Sequence, residues 1–199
     1  ILRGAELWPL PEKTPLEIIA HSKRTHGDYT VENVAIKTTE DSWLTGNVYR
    51  PADSSGQLAG ILCPHGHWLD GRFRENMQKR CATFARMGAV VFAYDMVGFG
   101  ELKDPEYPHG ETENGWGNGC PKILKRQLWN NIRALDYILS MKDIDPEKIA
   151  ITGASGGGTQ SFLLTAVDDR VKASIPVVMT SAWMFGGCNC ESGMYIHKS

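Results

Sequence analysis

Along residues 29–38, YTVENVAIKT, and again along residues 42–51, SWLTGNVYRP, apolar and polar side chains alternate, with a short turn at Glu40 and Asp41 between the two runs. A period of two puts one set of side chains on each face of a pleated strand, so the pair predicts an antiparallel hairpin. LAGILCP, residues 58–64, is instead a nearly continuous apolar run, the pattern of a strand covered on both faces. Met77, Cys81, Phe84 and Ala85 then recur at helical spacing and Gly88 follows as a stop, so a helix leads into the strand AVVFAYD. Leu124, Leu128, Asn131, Leu135 and Leu139 set the stripe of a second helix in which only the asparagine is polar, and DIDPEK ends it before the strand IAIT. Residues 156–167 can form a third helix, DDR turns the chain, and VKASIPVVM is the following strand.

A hairpin followed by strands that alternate with helices predicts an α/β fold: a mostly parallel sheet with helices on both faces. No internal repeat or low-complexity tract interrupts it. Residues 1–29, with Pro9, Pro11 and Pro15 and mixed polarity, read as an N-terminal extension that wraps a core formed by residues 30–199. Residues 101–121 are polar, rich in Gly and Pro, and long for a connection, which predicts a functional loop over a site. The last readable strand, ASIPVVM, is too apolar for a solvent edge, so a segment missing from this chain or a second chain is expected to cover it.

Composition narrows the function classes. At 199 residues, with 42% hydrophobic and 22% charged side chains, the chain can bury the core of one ordinary domain, and disorder is not expected. With 21 basic against 23 acidic residues, bulk electrostatics draw it towards neither nucleic acid nor an anionic membrane, and a neutral or small polar substrate fits better. No apolar run approaches the roughly 20 residues that span a bilayer, so a soluble chain is expected. It starts at Ile1 without a charged leader and hydrophobic stretch, and the compartment is not readable from that end. Cys63, Cys81, Cys120, Cys188 and Cys190 make an odd set without C-x-x-C pairs, which argues against a disulfide framework. Cys63 and Cys81 stand in apolar contexts and read as core. Cys188 and Cys190, in GGCNCE, read as loop residues, with metal or redox chemistry the rarer alternative.

One stretch carries chemistry. Gly153, Ala154, Ser155, Gly156 and Gly157 match G-x-S-x-G and fall between a predicted strand and a predicted helix, the context in which that motif presents a nucleophilic serine on a strained turn. The same turn puts the N–H of Gly156 at a helix N-terminus, where it can hold an oxyanion. A second donor is expected from CPHGHW, residues 63–68, which directly follows an earlier strand. The bland alternative is a glycine-rich turn that binds phosphate or nothing. No lysine follows these glycines as in a P-loop, and a dinucleotide fingerprint would belong near the first strand.

CPHGHW, AYDMVGFGE, KIAITGASGGGTQ, DDRVKASIPVV and GGCNCESG, in that order, resemble the alpha/beta hydrolase superfamily and, within it, the bacterial acetyl xylan esterase-like group, over residues 30–197. The resemblance implies a secreted or periplasmic Ser-His-acid esterase that uses no metal or organic cofactor and acts on an acyl or methyl ester, often of a plant polysaccharide. It implies that Ser155 is the nucleophile and that Gly156 and His67 give the oxyanion N–H groups. In that fold the acid and the histidine follow the serine on loops after later strands. Only one further strand is readable here, so the expectation is an alpha/beta hydrolase fold lacking its last two strands, with the catalytic histidine outside this chain.

Asp168 and Asp169 lie a helix of about eleven residues, roughly 17 Å, away from Ser155 and read as turn residues. Glu191 lies beyond the next strand, as a candidate acid, a substrate contact or a plain loop carboxylate. His197, close to the last residue and therefore poorly held for a base, and His65, His67 and His109, none of these three in the family's order, are the candidate bases. His65-x-His67 as a metal pair lacks a third ligand, and His21 and His26 read as surface residues. Trp68, Trp116 and Trp183 offer sugar-ring faces or plain packing. The reading is therefore ester hydrolysis through a Ser155 acyl-enzyme, with a small-molecule or polysaccharide ester as partner and neither nucleic acid nor membrane. Two rivals stand beside it: a serine peptidase of the prolyl oligopeptidase type and a binding module that has lost its base; a glucuronoyl esterase is disfavoured, because that family is expected to carry an Arg where Gly156 and Gly157 stand.

Overall fold

In a computed structural model, which describes residues 1–102, 120–178, 180 and 188–192, seven strands form one sheet. β1 (Ile18–His26), β2 (Tyr29–Thr39) and β3 (Ser42–Pro51) open the chain, and β4 (Leu58–Leu62) follows. A short 3-10 turn at Gly71–Phe73 precedes α1 (Glu75–Arg86), after which come β5 (Ala89–Tyr94), α2 (Cys120–Leu139), β6 (Ile144–Ala154), α3 (Gly156–Val167), β7 (Ala173–Val177) and α4 (Asn189–Ser192).

The spatial order is β1-β2-β3-β5-β4-β6-β7. Pairing is antiparallel from β1 through β3 to β5 and parallel from β5 through β4 and β6 to β7. The expected hairpin is β2–β3, and the expected parallel sheet is the other half. β5 shows why the two halves read differently as sequence. Val91 and Ala93 pack with Cys81, Ala82 and Ala85 of α1 on one face, whereas Val90, Phe92 and Tyr94 pack with α2 and α3 on the other. Every residue of β5 is buried, so no alternation survives. At about 1.5–3 kcal/mol for each large apolar side chain, burial on both faces holds the middle of the sheet rigid.

Two features had no counterpart in the sequence pattern. The segment preceding Tyr29 lays Ala5 and Leu7 into the core cluster, and its residues 18–26 join the sheet as β1. All nine β1 side chains are exposed, so the strand is held by backbone pairing to β2 and carries no apolar period. The asparagine of the α2 stripe is likewise explained: Asn131 is fully buried and its Oδ1 accepts the Tyr94 hydroxyl at 2.7 Å.

Cys63 and Cys81 are buried, as expected. Among the described residues, β7 pairs with β6 and with no other strand, and Ile175, Val177 and Val178 are exposed. No helix among them is long and apolar enough to cross a membrane.

Candidate active site

The carboxyl ends of parallel strands converge on one crevice, the position where open α/β sheets bind ligands. β4 delivers residues 63–68, β5 delivers Asp95 and Met96, and β6 delivers Ser155. Ser155 holds φ 54° and ψ −123°, a backbone conformation that L-residues adopt at a cost on the order of 1–3 kcal/mol. Neighbouring chain enforces it: the Ser155 N–H donates to the Val177 carbonyl at 3.0 Å, and the Ser155 carbonyl accepts from the Thr159 N–H at 2.9 Å. The glycines of the motif are required by contact. A Cβ on Gly153 would stand 2.5 Å from the Gly157 carbonyl oxygen, and one on Gly157 would stand 2.5 Å from that of Pro64, so a side chain at either place would push the 63–68 segment off the turn.

Four predicted residues meet here. Ser155 Oγ lies 2.5 Å from His67 Nδ1 and 3.1 Å from Glu191 Oε1. The Gly156 N–H, at the start of α3, donates to the same His67 Nδ1 at 3.4 Å. Glu191 Oε1 is 3.5 Å from that nitrogen. His67 Nε2, on the other side of the ring, meets Cys190 Sγ at 3.0 Å, and the Cys188 and Cys190 sulfurs are 3.5 Å apart. The edge of Phe99 borders the ring, with centroids 6.2 Å apart.

Burial pulls the His67 imidazolium down, but the Cys188 thiol and the Glu191 carboxylate outweigh it, and the group ends above its ordinary value. Cys190 is pushed well up by burial, with Cys188 adding to the shift.

His67 therefore brings its imidazole as well as its backbone to the site, a role for the side chain that sequence order did not indicate. Serine and carboxylate both meet Nδ1, whereas a proton relay places them on opposite nitrogens. The ring also rests on the Gly156 amide, one of the two expected oxyanion donors.

His65 is turned elsewhere. Its Nδ1 contacts the Gly66 carbonyl at 2.7 Å and its Nε2 accepts the Met96 N–H at 3.0 Å, so a single neutral tautomer is fixed and the ring braces the floor of the site. The third ligand that His65-x-His67 lacked in sequence is found by His67 alone, beside Cys188 and Cys190, with all three donor atoms within 4.8 Å of one another.

Beneath these groups is a buried ionic network that the sequence reading passed over. Arg72 pairs with Asp95, and also reaches Asn47 Oδ1 at 2.7 Å and Glu101 Oε2 at 2.6 Å. Asp95 Oδ2 accepts the Thr45 hydroxyl at 2.7 Å and the Glu101 N–H at 3.2 Å. A Cβ on Gly100 would collide with that carboxylate. The network ties residues 95–101, including Met96 and Phe99, to the sheet. The available signal was an aspartate closing an apolar strand at AYD.

The remaining candidates lie apart. Asp168 bonds Arg170 at the turn after α3, Asp169 follows it, and His21 and His26 are exposed on β1. Trp68 carries the Arg74 guanidinium over its ring at 5.0 Å. His109, Trp116, Trp183 and His197, and residues 103–119 of the expected loop, lie outside the described residues.

The acetyl xylan esterase (AXE1) family profile matches residues 16–180. Among curated proteins, the chain is 25% identical over 197 residues to acetyl esterase Axe7A of Xylanibacter ruminicola, a match covering 93% of this chain and 44% of that protein. Among solved structures, it is similar to methylesterase BT1017, with 39% identity and a TM-score of 0.83 over 98% of this chain and 43% of that one. An acetyl xylan esterase from Paenibacillus sp. R4 shares the fold at 21% identity, with a TM-score of 0.66 over 87% of this chain and 55% of that one. The chain spans about half the length of the curated relatives it matches. The shared architecture is the alpha/beta hydrolase fold.

Proposed function

The chain belongs to the acetyl xylan esterase family, and from that premise we propose that it carries the nucleophile of a serine hydrolase that cleaves carboxylic esters of carbohydrate. The observation that supports this most is Ser155, held at φ 54° between a parallel strand and a helix, with a backbone N–H and a carboxylate at hand.

In the proposed reaction Ser155 Oγ attacks the ester carbonyl and its proton passes to a histidine. The oxyanion is held by the N–H groups of Gly156 and His67, each worth about 10²–10³ in rate. The tetrahedral species expels the alcohol, which takes the proton back. Water then attacks the acyl-enzyme by the same route and frees Ser155.

The base is a histidine outside the described residues, because both partners of His67 meet one nitrogen and its ring occupies the Gly156 amide that the oxyanion needs. His67 contributes its backbone, and its ring swings aside when substrate enters. Glu191, buried against Ser155 Oγ, orients the hydroxyl and the incoming base. Acetyl and methyl esters differ only in which side of the ester is small. The family name favours the first, and the relative that is a methylesterase supports the second as an alternative.

A fluorophosphonate probe, applied to the complete gene product, tests the nucleophile. Labelling at Ser155, abolished in Ser155→Ala, is expected, together with acetate release from acetylated xylan or methanol release from a methyl-esterified polysaccharide. A product that takes no label would support the binding-module rival, and turnover of peptide amides alone would support the peptidase. His67→Ala keeps the backbone N–H and is expected to stay within about tenfold of wild type. A drop of about 10²–10⁴, the usual weight of a general base, would instead make the ring the base.

A further inference from the structure

His67 Nε2 points away from Ser155 at two thiols that are 123 residues distant in sequence, or nearly so. The two sulfurs stand 3.5 Å apart and the nearer one is 3.0 Å from the nitrogen. With zinc–sulfur bonds of about 2.3 Å, tetrahedral geometry separates two sulfurs by about 3.8 Å, within a few tenths of an ångström of the observed pair, and all three donor atoms lie within 4.8 Å of one another. Cys190 is fully buried and Cys188 nearly so, whereas the ring is about a quarter exposed, which leaves an approach for an ion and a water. On the far side of the ring, Glu191 Oε1 lies 3.5 Å from Nδ1, the carboxylate–histidine arrangement that commonly orients a metal-bound imidazole. Two thiolates and one imidazole form a donor set suited to zinc.

We propose that His67, Cys188 and Cys190 form a binding site for a thiophilic divalent cation, zinc above all, and that the bound ion holds the His67 ring over Ser155 and the Gly156 amide, keeping the crevice shut. Binding is coordination without redox change: two thiol protons pass to solvent, two sulfurs and Nε2 bind the ion, and water takes the fourth position. With Nε2 committed to metal, the ring of a neutral His67 carries its proton on Nδ1, which donates to Ser155 Oγ or Glu191 and no longer accepts the Gly156 N–H, so the ring covers that amide by its bulk alone. The ring is then pinned to the 188–192 segment, and a substrate carbonyl cannot reach the Gly156 N–H. Removal of the ion frees the ring. Closure of the crevice rests on the proposed esterase reading; ion binding does not.

Cobalt(II) titrated into the chain reads the site directly. One equivalent is expected to give thiolate-to-cobalt charge-transfer absorption with the visible bands of a tetrahedral ion, both erased by zinc. Zinc K-edge absorption on the unaltered chain should show two sulfurs and one imidazole, a reading that needs no variant. Cys188→Ser and Cys190→Ser are each expected to weaken zinc by about 100-fold or more, since even outer partners of metal ligands cost 10–100-fold. Absence of thiolate–cobalt absorption, or zinc affinity unchanged in Cys188→Ser, overturns the site.

In a second arm, fluorophosphonate labelling of Ser155 is compared in zinc-loaded and chelator-treated gene product. At least tenfold slower labelling in the loaded form is expected. Equal labelling with the site filled overturns the closure, and failure to label either form with the cobalt spectrum present overturns the esterase reading and leaves the metal site standing.

Discussion

Ser155 sits in a conformation that its neighbours impose. The cost is local and should be recoverable: Ser155→Gly removes the side chain that disfavours φ 54°. That variant is expected to be more stable than Ser155→Ala by about 1 kcal/mol, or about 2–4 °C in Tm for a chain of this size, when the two are compared by thermal unfolding. Equal stability would mean that the turn is unstrained. The serine was legible because its motif is contiguous, with Gly153 and Gly157 answering to backbone atoms nearby and Gly156 to the Met96 and His67 side chains. His67 was legible as a backbone donor, and its ring only as one of several unplaced candidates, since the position of that ring depends on Glu191, Cys188 and Cys190, which sequence separates from it by more than a hundred residues. The Arg72–Asp95 pair, 23 residues apart, was missed because its two members stand on different elements and share no motif.

At the scale of elements, the turn between α3 and β7 carries the clearest pH dependence. Burial raises the Asp168 carboxyl, but Arg170, bonded to it at 2.6 and 2.8 Å, more than offsets that and leaves the group below the ordinary carboxylate value. A depressed folded value means that the pair contributes fully above the unfolded carboxylate range and loses its contribution as pH falls through that range towards the folded value. Urea midpoints measured from neutral pH downwards should therefore fall less steeply in Asp168→Asn than in wild type; parallel curves would show that the pair is not coupled to folding. β2 and β3 were readable because apolar and polar side chains alternate along both, although β3 is buried on both faces over residues 46–49, with Val48 in one core cluster and Tyr49 in the other. β1 was not, because all its side chains are exposed and its place in the sheet is set mainly by backbone pairing, with the His26 ring stacked on Tyr29. α2 was readable despite Asn131, whose burial needed Tyr94 to explain it.

Across the whole molecule, the sheet is closed at its middle and apolar at one border. Ile175 is 63% exposed and Val178 is 73% exposed on or beside β7, a row that invites pairing with another strand. The 199-residue chain by itself is expected to self-associate through this border, and Ile175→Lys to shift it towards monomer, as read by size-exclusion chromatography across concentration. A wild-type chain that stays monomeric at high concentration would remove that expectation. The sequence by itself determined the hairpin, the buried parallel strands and the serine at the elbow, because alternation, helical spacing and a contiguous motif are local signals that survive in one dimension. Only the tertiary structure decided that β1 joins the sheet, that Glu191 reaches Ser155, and that His67 turns its ring between the serine and a pair of thiols. The last two depend on contacts between segments far apart along the chain, whereas β1 pairs with its neighbour β2 but has uniformly exposed side chains, so no local period encodes it.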